Sequence, residues 1–535
     1  MMEKNIFYIL LLALISLLVM PLAELPAAEP PKAIDIGSRR ELFVDGFLIE
    51  KLAGKAEQRL HRPQPQEIAI THDAPWEGSG SGYHSIFKDG DIYRMYYKAW
   101  QLTVTPEGKV NTGEHPLFTC YAESDDGIHW RKPELGLHDF NGSKANNIVI
   151  PRGKMGQVNP DGGHPAVFKD ENPNASPDAR YKAIMRSNSP KGLLVLKSPD
   201  GLRWSPMADT PVITDGAFDS QNLAFWDAGA GLYRAYWRYF TEGTSDEKNW
   251  KPAGLRAIRT ATSKDFIHWE NQRDLSYVDS PGEALYTNQI KPYHRAPHLL
   301  LGFPTRYIER GWSDSMRALP EREHREWRSK ASDRYGMAIT EGLFMASRDG
   351  VSFKRWNEAF LPPGIERPGA WNYGHQYLAW HLVETKSAMD GAPNELSLYA
   401  TESYWTDKSS QLRRYTLRLD GFVSVQAPMS GGEVITKPLT FSGDRLTMNF
   451  ATSAAGDIRV EIQDAAGKPL PGFALEDCPP VFGDAIERSI TWKSGGDVGQ
   501  LAGKAVRLRF VLRDADLYSF RFAEKISPPD KKGQP

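Results

Sequence analysis

Apolar residues gather in short runs along most of the chain, with turn formers such as Asp, Gly, Asn and Pro between them. Short apolar runs punctuated in this way predict β-strands. The runs fall into groups. The first holds 83–87, 92–98 and 118–123, and the second 166–169, 181–185 and 193–197. The third holds 223–226, 233–239 and 257–262, and the fourth 285–291, 298–303 and 343–346. Each third run leads into one recurring heptapeptide. Its copies are Ser124-Asp-Asp-Gly-Ile-His-Trp130, Ser198-Pro-Asp-Gly-Leu-Arg-Trp204, Ser263-Lys-Asp-Phe-Ile-His-Trp269 and Ser347-Arg-Asp-Gly-Val-Ser-Phe353. Asp and Gly supply a turn, Gly by tolerating positive φ, and the aromatic residue opens a fourth, returning strand.

A fifth group, 373–383, 396–401, 412–419 and 422–425, has Asp420-Gly421 as its last turn. Five four-stranded units in series predict an all-β fold, a five-bladed β-propeller over residues 29–428. The units exceed the 40–50 residues of short-repeat propellers, so the surplus is expected in loops. The charged stretch 320–334 reads as a short solvated helix inserted in the fourth unit. Ser430-Gly-Gly432 reads as a linker, and the alternating runs beyond it predict an antiparallel β-sandwich over 429–524. A Pro- and Lys-rich tail, 525–535, is expected to be disordered.

Composition narrows the class. The 535 residues carry 65 basic and 67 acidic side chains, a net charge of −2, which argues against a nucleic-acid partner held by bulk positive charge. Cys120 and Cys478 are too few for a disulfide framework or a Cys₄ zinc site. They read as buried free thiols, with a disulfide between them as the alternative. The apolar run 6–20 follows Lys4 and ends at Pro21, with small residues at Ala23, Ala27 and Ala28. That predicts a signal peptide over 1–28 and a periplasmic or extracellular location, the alternative being an uncleaved anchor. No later run is long enough to span a membrane.

Five units bearing Ser-x-Asp-Gly-x-x-Trp hairpins, followed by a sandwich, resemble the secreted five-bladed glycoside hydrolases, the invertase and levanase group (family 32) and the arabinanase and xylosidase group (family 43). The segment from Gly456 to Cys478 also resembles the C-terminal module of the invertase group. The resemblance implies an exported hydrolase of O-glycosyl bonds acting on poly- or oligosaccharide in a central funnel, without a cofactor. The invertase pattern Trp-x-Asn-Asp-Pro-Asn is absent, as are Arg-Asp-Pro and the sialidase Arg-Ile-Pro, so no catalytic residue carries over by motif.

Site residues are therefore sought by position, just before each innermost strand. Glycosidic hydrolysis needs two carboxyl groups, about 5–5.5 Å apart for retention and 6.5–9.5 Å for inversion. Asp219, Asp161 and Glu283 are the expected catalytic acids, and the alternative for each is an ordinary turn residue. His84, His164, Gln221, Asn222, Asn288 and His375 stand at matching points as expected substrate partners, with Trp371 as a stacking platform beside Trp100 and Trp405. The three histidines follow no local zinc pattern, and no metal is expected. Lys98, Arg186, Arg238 and Arg306 recur at the ends of second strands. A ring of such cations would suit the carboxylate or sulfate of an acidic sugar; paired with surface acids, they would mean nothing for the substrate. The alternative function is a non-catalytic carbohydrate-binding propeller.

Overall fold

The computed structural model describes residues 32–245 and 250–524. The expected signal peptide and the expected tail lie outside these residues.

Five sheets surround a central axis. In blade 1 the strands run from the inside outwards as Gly82–Asp89, Ile92–Ala99, Phe118–Ser124 and Ile148–Pro151. Blade 2 holds Ala166–Lys169, Tyr181–Asn188, Lys191–Ser198 and Ser205–Pro206. Blade 3 holds Leu223–Asp227, Leu232–Ser245, Trp250–Ser263 and Glu270–Asp274. Blade 4 holds Lys291–Tyr293, Ala296–Gly302, Met345–Ser347 and Ser352–Arg355, with Ser276–Val278 added in parallel at its edge.

Blade 5 differs from the expected unit. Its inner three strands are Val383–Thr385, Glu395–Glu402 and Gln411–Arg418, but its outermost strand is Gln64–Thr71 from the other end of the propeller. Ring closure by an N-terminal strand leaves no open edge between the first and last blades. The run at 422–425 instead joins the C-terminal sheet, as part of Val423–Ala427.

The recurring heptapeptide makes one geometry four times. In the first copy Ser124 Oγ accepts from the Gly127 amide at 2.9 Å, and Asp126 Oδ1 accepts from Ile128 and His129 at 2.8 and 2.9 Å. Asp200, Asp265 and Asp349 repeat it. The third copy has Phe266 at φ 70°, where the others have Gly127, Gly201 and Gly350. Left-handed backbone is costly for a bulky residue. Phe266 is wholly buried against Phe168, Tyr233 and Trp269, at ring separations of 5.6, 5.1 and 5.7 Å. Burying that ring contributes about 1.5–3 kcal/mol, enough to offset the strain. The closing aromatics bridge blades: Trp130 meets Tyr399 of blade 5, and Trp204 meets Tyr96 of blade 1, although the fourth strand of blade 1 opens only at Ile148 and not at Trp130.

The charged stretch in blade 4 is more buried than a solvated helix. The helix Arg322–Ser329 has Arg325 and Arg328 fully buried. Arg328 donates to the Trp405 carbonyl at 2.7 Å and to Asn372 Oδ1 at 2.9 Å. The two arginines thus satisfy loop carbonyls of blade 5, a task that charge counting alone reads as solvent exposure.

The C-terminal sheet takes in more chain than expected. Arg445–Asp464 and Val506–Ala523 pair along their lengths, broken between Thr452 and Asp457. Ile34–Gly37, Glu41–Leu42, Ile49–Gly54 and Glu57–Leu60 add to the same ten-stranded sheet. Residues 34–60 therefore pair with the C-terminal unit and not with the blades. One apolar cluster, including Phe43, Val434, Phe450, Val460 and Phe510, fills this unit. Buried Asp420 fastens it to the propeller. It accepts from Tyr293, Arg295 and Ser519, each at 2.8 Å, and from Asn449 at 3.2 Å. Cys120 and Cys478 are buried and free. Among the described residues, no helix is long and apolar enough to cross a membrane.

Candidate functional site

The axis is blocked at mid-height by amides. Gln221 donates to the carbonyls of Tyr83 and Pro165 at 3.0 and 2.9 Å, and its Oε1 accepts from Gln289 at 2.8 Å. Gln289 donates onward to the Leu378 carbonyl at 2.7 Å. These two side chains tie the inner segments of all five blades and divide the axis into two mouths.

The upper mouth opens where the inner strands begin. It is a pocket of about 280 Å³ lined by Tyr83, Lys98, Trp100, Arg152, His164, Arg186, Asp219, Tyr286, Arg334, Tyr373, Tyr404 and Trp405, among others. Its wall is aromatic. Tyr286 stacks on Tyr377 at 5.4 Å, and Tyr377 on Tyr83 at 6.1 Å. Cations lie against these rings: Lys98 Nζ is 4.5 Å from the Tyr83 centroid and 4.9 Å from that of Trp100, and Arg238 is 4.7 Å from that of Tyr286.

Blade 2 supplies a dyad. The turn before its inner strand places Asp161 Oδ2 2.5 Å from His164 Nδ1. Asp161 is buried, which alone would raise its pKa, but His164, Arg186 and the Gly163 amide hold it below the usual range. Burial lowers the His164 pKa against the pull of Asp161. The imidazole is thus neutral near pH 7, its Nδ1 proton donated to Asp161. Nε2 makes no hydrogen bond among the described residues, and the ring lines the pocket. The Tyr83 ring is near both this imidazole, at 5.5 Å, and Lys98 Nζ, at 4.5 Å. Burial brings the Lys98 pKa down to about 7, opposed by Asp161. Tyr286 is also shifted: burial would raise its pKa, but Arg238, the Tyr373 hydroxyl and Arg256 bring it down to about 8.

Blade 3 supplies the acid that is open to solvent. Asp219 is 46% exposed and pairs with Arg238, itself 4% exposed. Arg238 Nε and Nη1 are buried with no hydrogen-bond partner among the described residues.

The expected residues divide. Asp219, His164 and Arg186 line the pocket, with Asp161 behind His164 and 3.9 Å from Arg186. Glu283 is not part of the lining. It takes Arg306 at 3.0 Å and Arg355 at 2.8 Å, while Arg306 also holds Glu341. Arg306 is therefore spent on acids. His84 lies 3.0 Å from His72, and burial lowers the pKa of both rings, that of His72 to about 4. His375 accepts from the Trp371 amide at 3.0 Å, and burial lowers its pKa to about 3. Asn222 caps the Phe218 and Ser220 carbonyls and accepts from the Arg238 amide, and Asn288 accepts from Ile290. These four polar residues and Gln221 engage neighbouring groups of the chain and lie outside the lining, with His84 Nδ1 and His375 Nε2 buried and without a hydrogen-bond partner among the described residues. Trp371 donates to the Gly364 carbonyl at 2.8 Å and lies outside the lining.

Positional reading missed Tyr286, Tyr373, Tyr404, Arg152 and Arg334. Tyr286 and Tyr373 stand in the pre-strand segments already singled out, next to the Glu, Asn and Trp preferred there. The available signal was a tyrosine in that slot in blades 1, 4 and 5. Among the described residues no group of His, Cys, Asp and Glu could hold a metal ion.

No protein-family model matches this chain, and no curated protein matches it. Solved structures do resemble it. BT0996, in its complex with RGII, is 15% identical, with a TM-score of 0.42, covering 67% of this chain and 92% of its own. An N-acetylgalactosamine deacetylase from F. plautii, in complex with blood group B trisaccharide, is 10% identical, with a TM-score of 0.41, covering 67% of this chain and 95% of its own. A family 43 arabinoxylan arabinofuranohydrolase from Bacillus subtilis, in complex with cellotetraose, is 11% identical, with a TM-score of 0.27, covering 87% of this chain and 99% of its own. Identities this low leave the chemistry of the upper mouth to its own residues. The chain is a five-bladed β-propeller, and the solved structures similar to it include glycoside hydrolases.

Proposed function

We propose that the upper mouth binds and hydrolyses the O-glycosyl bond of an acidic saccharide, a uronate or sulfated sugar, outside the cytoplasm. One observation carries this reading: a solvent-open carboxylate, Asp219, shares a pocket with a neutral, Asp161-held imidazole and a lysine brought to about 7. Groups whose environments separate their proton affinities can divide acid and base work at one pH. Asp219 acts at the anomeric side as base or nucleophile. The Lys98 ammonium, beside the Asp161–His164 dyad, supplies the proton to the departing oxygen. Asp161 thus works through His164, whereas sequence reading made it half of a carboxylate pair. Arg152, Arg186 and Arg334 favour an anion, and Trp100 and Tyr404 offer faces to sugar C–H groups.

Purified protein is to be assayed for reducing-end release from polyuronates, sulfated polysaccharides, a fructan and an arabinan. Hydrolysis of an anionic substrate that weakens with added salt supports the proposal; salt-independent turnover of a neutral polymer sinks it. A second reading is a non-catalytic saccharide-binding propeller. It is favoured by the ion-pairing of Asp161, Asp219 and Glu283, each with an arginine within reach. Saturable binding without reducing ends, unchanged in His164→Ala, selects it.

A further inference from the structure

The lower mouth, where the inner strands end, is the larger cavity, about 930 Å³. All five blades line it, and the upper-mouth chemistry uses none of it. At its inner end three polar side chains are left incomplete. Lys291 Nζ lies 2.9 Å from His381 Nδ1 and makes no ion pair among the described residues. An ammonium only donates, so Nδ1 accepts and Nε2 carries the imidazole proton. Among the described residues Nε2 is buried without a partner, and His381 is only 8% exposed. Gln289 Oε1 is likewise buried and accepts nothing among them, while its amide is spent on Gln221 and Leu378.

Two of these three residues are held in left-handed backbone, His381 at φ 77° and Gln289 at φ 46°. Such strain in non-glycine residues concentrates where geometry is imposed for a purpose. The acids at this mouth are mostly committed. Asp125 holds Arg131 at 2.6 Å, Asp126 caps its own turn, and Glu384 takes His294 at 2.8 Å. Among the described residues Glu171 is the acid that acts on Lys291, and it does so without contact. A partly exposed cation whose one hydrogen-bond partner among the described residues is a neutral ring is left without a close counter-charge.

We infer that the lower mouth is a second ligand site, which takes a small hydroxylated carboxylate such as a free uronate. The carboxylate sits against Lys291 Nζ and the His381 Nε2–H, and a hydroxyl donates to Gln289 Oε1. Charge-assisted bonds of this type are strong where water is excluded. A bare inorganic anion satisfies the two donors but leaves Gln289 Oε1 without one. Burial brings the Lys291 pKa down to about 8, so the ammonium persists at neutral pH and binding of the anion would raise it. This site shares no residue with the upper mouth and stands or falls separately.

The test is peptide-resolved amine labelling of the whole protein with acetyl N-hydroxysuccinimide ester, following Lys291 and Lys98 separately by mass spectrometry. Saturating D-glucuronate should slow acetylation of Lys291 at least tenfold, and D-glucose less than twofold. Protection of Lys98 alone places glucuronate only in the upper mouth and overturns the inference, leaving the proposed function intact. Equal protection of Lys291 by sulfate and glucuronate means a general anion contact and overturns the hydroxylated-carboxylate assignment. A second measurement uses Lys291→Met. Without ligand its Tm should equal or exceed that of the parent, and the upward shift with glucuronate should vanish. A ligand-free fall of several degrees would make Lys291 a structural donor to His381 and overturn the site.

Discussion

The two mouths of one channel have opposite characters. The upper is small, walled by tyrosine and tryptophan, and holds four cations, Lys98, Arg152, Arg186 and Arg334, against one lining acid, Asp219. The lower is more than three times larger, and its rim mixes lysines with acids, most of them already engaged by other groups of the chain. The difference follows from what each end of an inner strand is attached to. The beginnings of inner strands follow the long irregular segments between blades, which are free to carry chemistry. Their ends lie beside the Ser-x-Asp turns, where the carboxylates are consumed in capping amides. Lysines and acids of equal formal charge therefore mean different things at the two ends.

The largest expected effect is on turnover. His164→Ala and Asp219→Asn should each lower kcat by about 10²–10⁴-fold with circular dichroism unchanged, since one removes the imidazole through which Asp161 acts and the other the base or nucleophile. Turnover within threefold of the parent in both would dissolve the contrast, because the upper mouth would then be only a binding surface.

Next comes the partition itself. Gln221→Leu removes donors to two carbonyls and the acceptor for Gln289. The stranded buried groups should cost about 2–4 kcal/mol, read from urea unfolding. A neutral outcome would mean that water replaces the amide and joins the two mouths.

The pH dependence sharpens the assignment of Lys98. With its folded pKa at about 7, turnover that needs the ammonium should fall as pH rises through about 7. Stability moves the other way. Between about 7 and the ordinary lysine value near 10.5, the unfolded chain binds a proton that folded Lys98 has released, so stability rises with pH there. Lys98→Met should remove that part of the slope in unfolding measured across this window.

Trp100→Ala should weaken saccharide binding about three- to tenfold, the loss of one stacking face, as calorimetry would register. The smallest effect belongs to the heptapeptide hairpin of blade 3. Asp265→Ala removes the caps on Ile267 and His268, at 2.9 and 2.8 Å, and should cost about 1 kcal/mol in thermal unfolding without altering turnover.

Short apolar runs between turn residues determined the strands, because blade strands such as Phe118–Ser124 and Lys191–Ser198 are covered on both faces. The heptapeptide determined the hairpins, because Ser and Asp cap their own amides within a few residues. Blade number followed from counting these local events. His164 and Asp219 were legible for the same reason, standing at fixed offsets from the strands they precede. Only the tertiary structure decided what required distant partners. Gln64–Thr71 closes blade 5 from the far end of the propeller, and residues 34–60 pair with strands some four hundred positions later. Glu283 and Arg306 neutralise each other, whereas Lys98, distant in sequence from Asp161, comes under its field where both are buried. Charge and hydrogen bonding are settled by which groups meet and how much water remains between them. Local sequence fixes neither until the ring has closed.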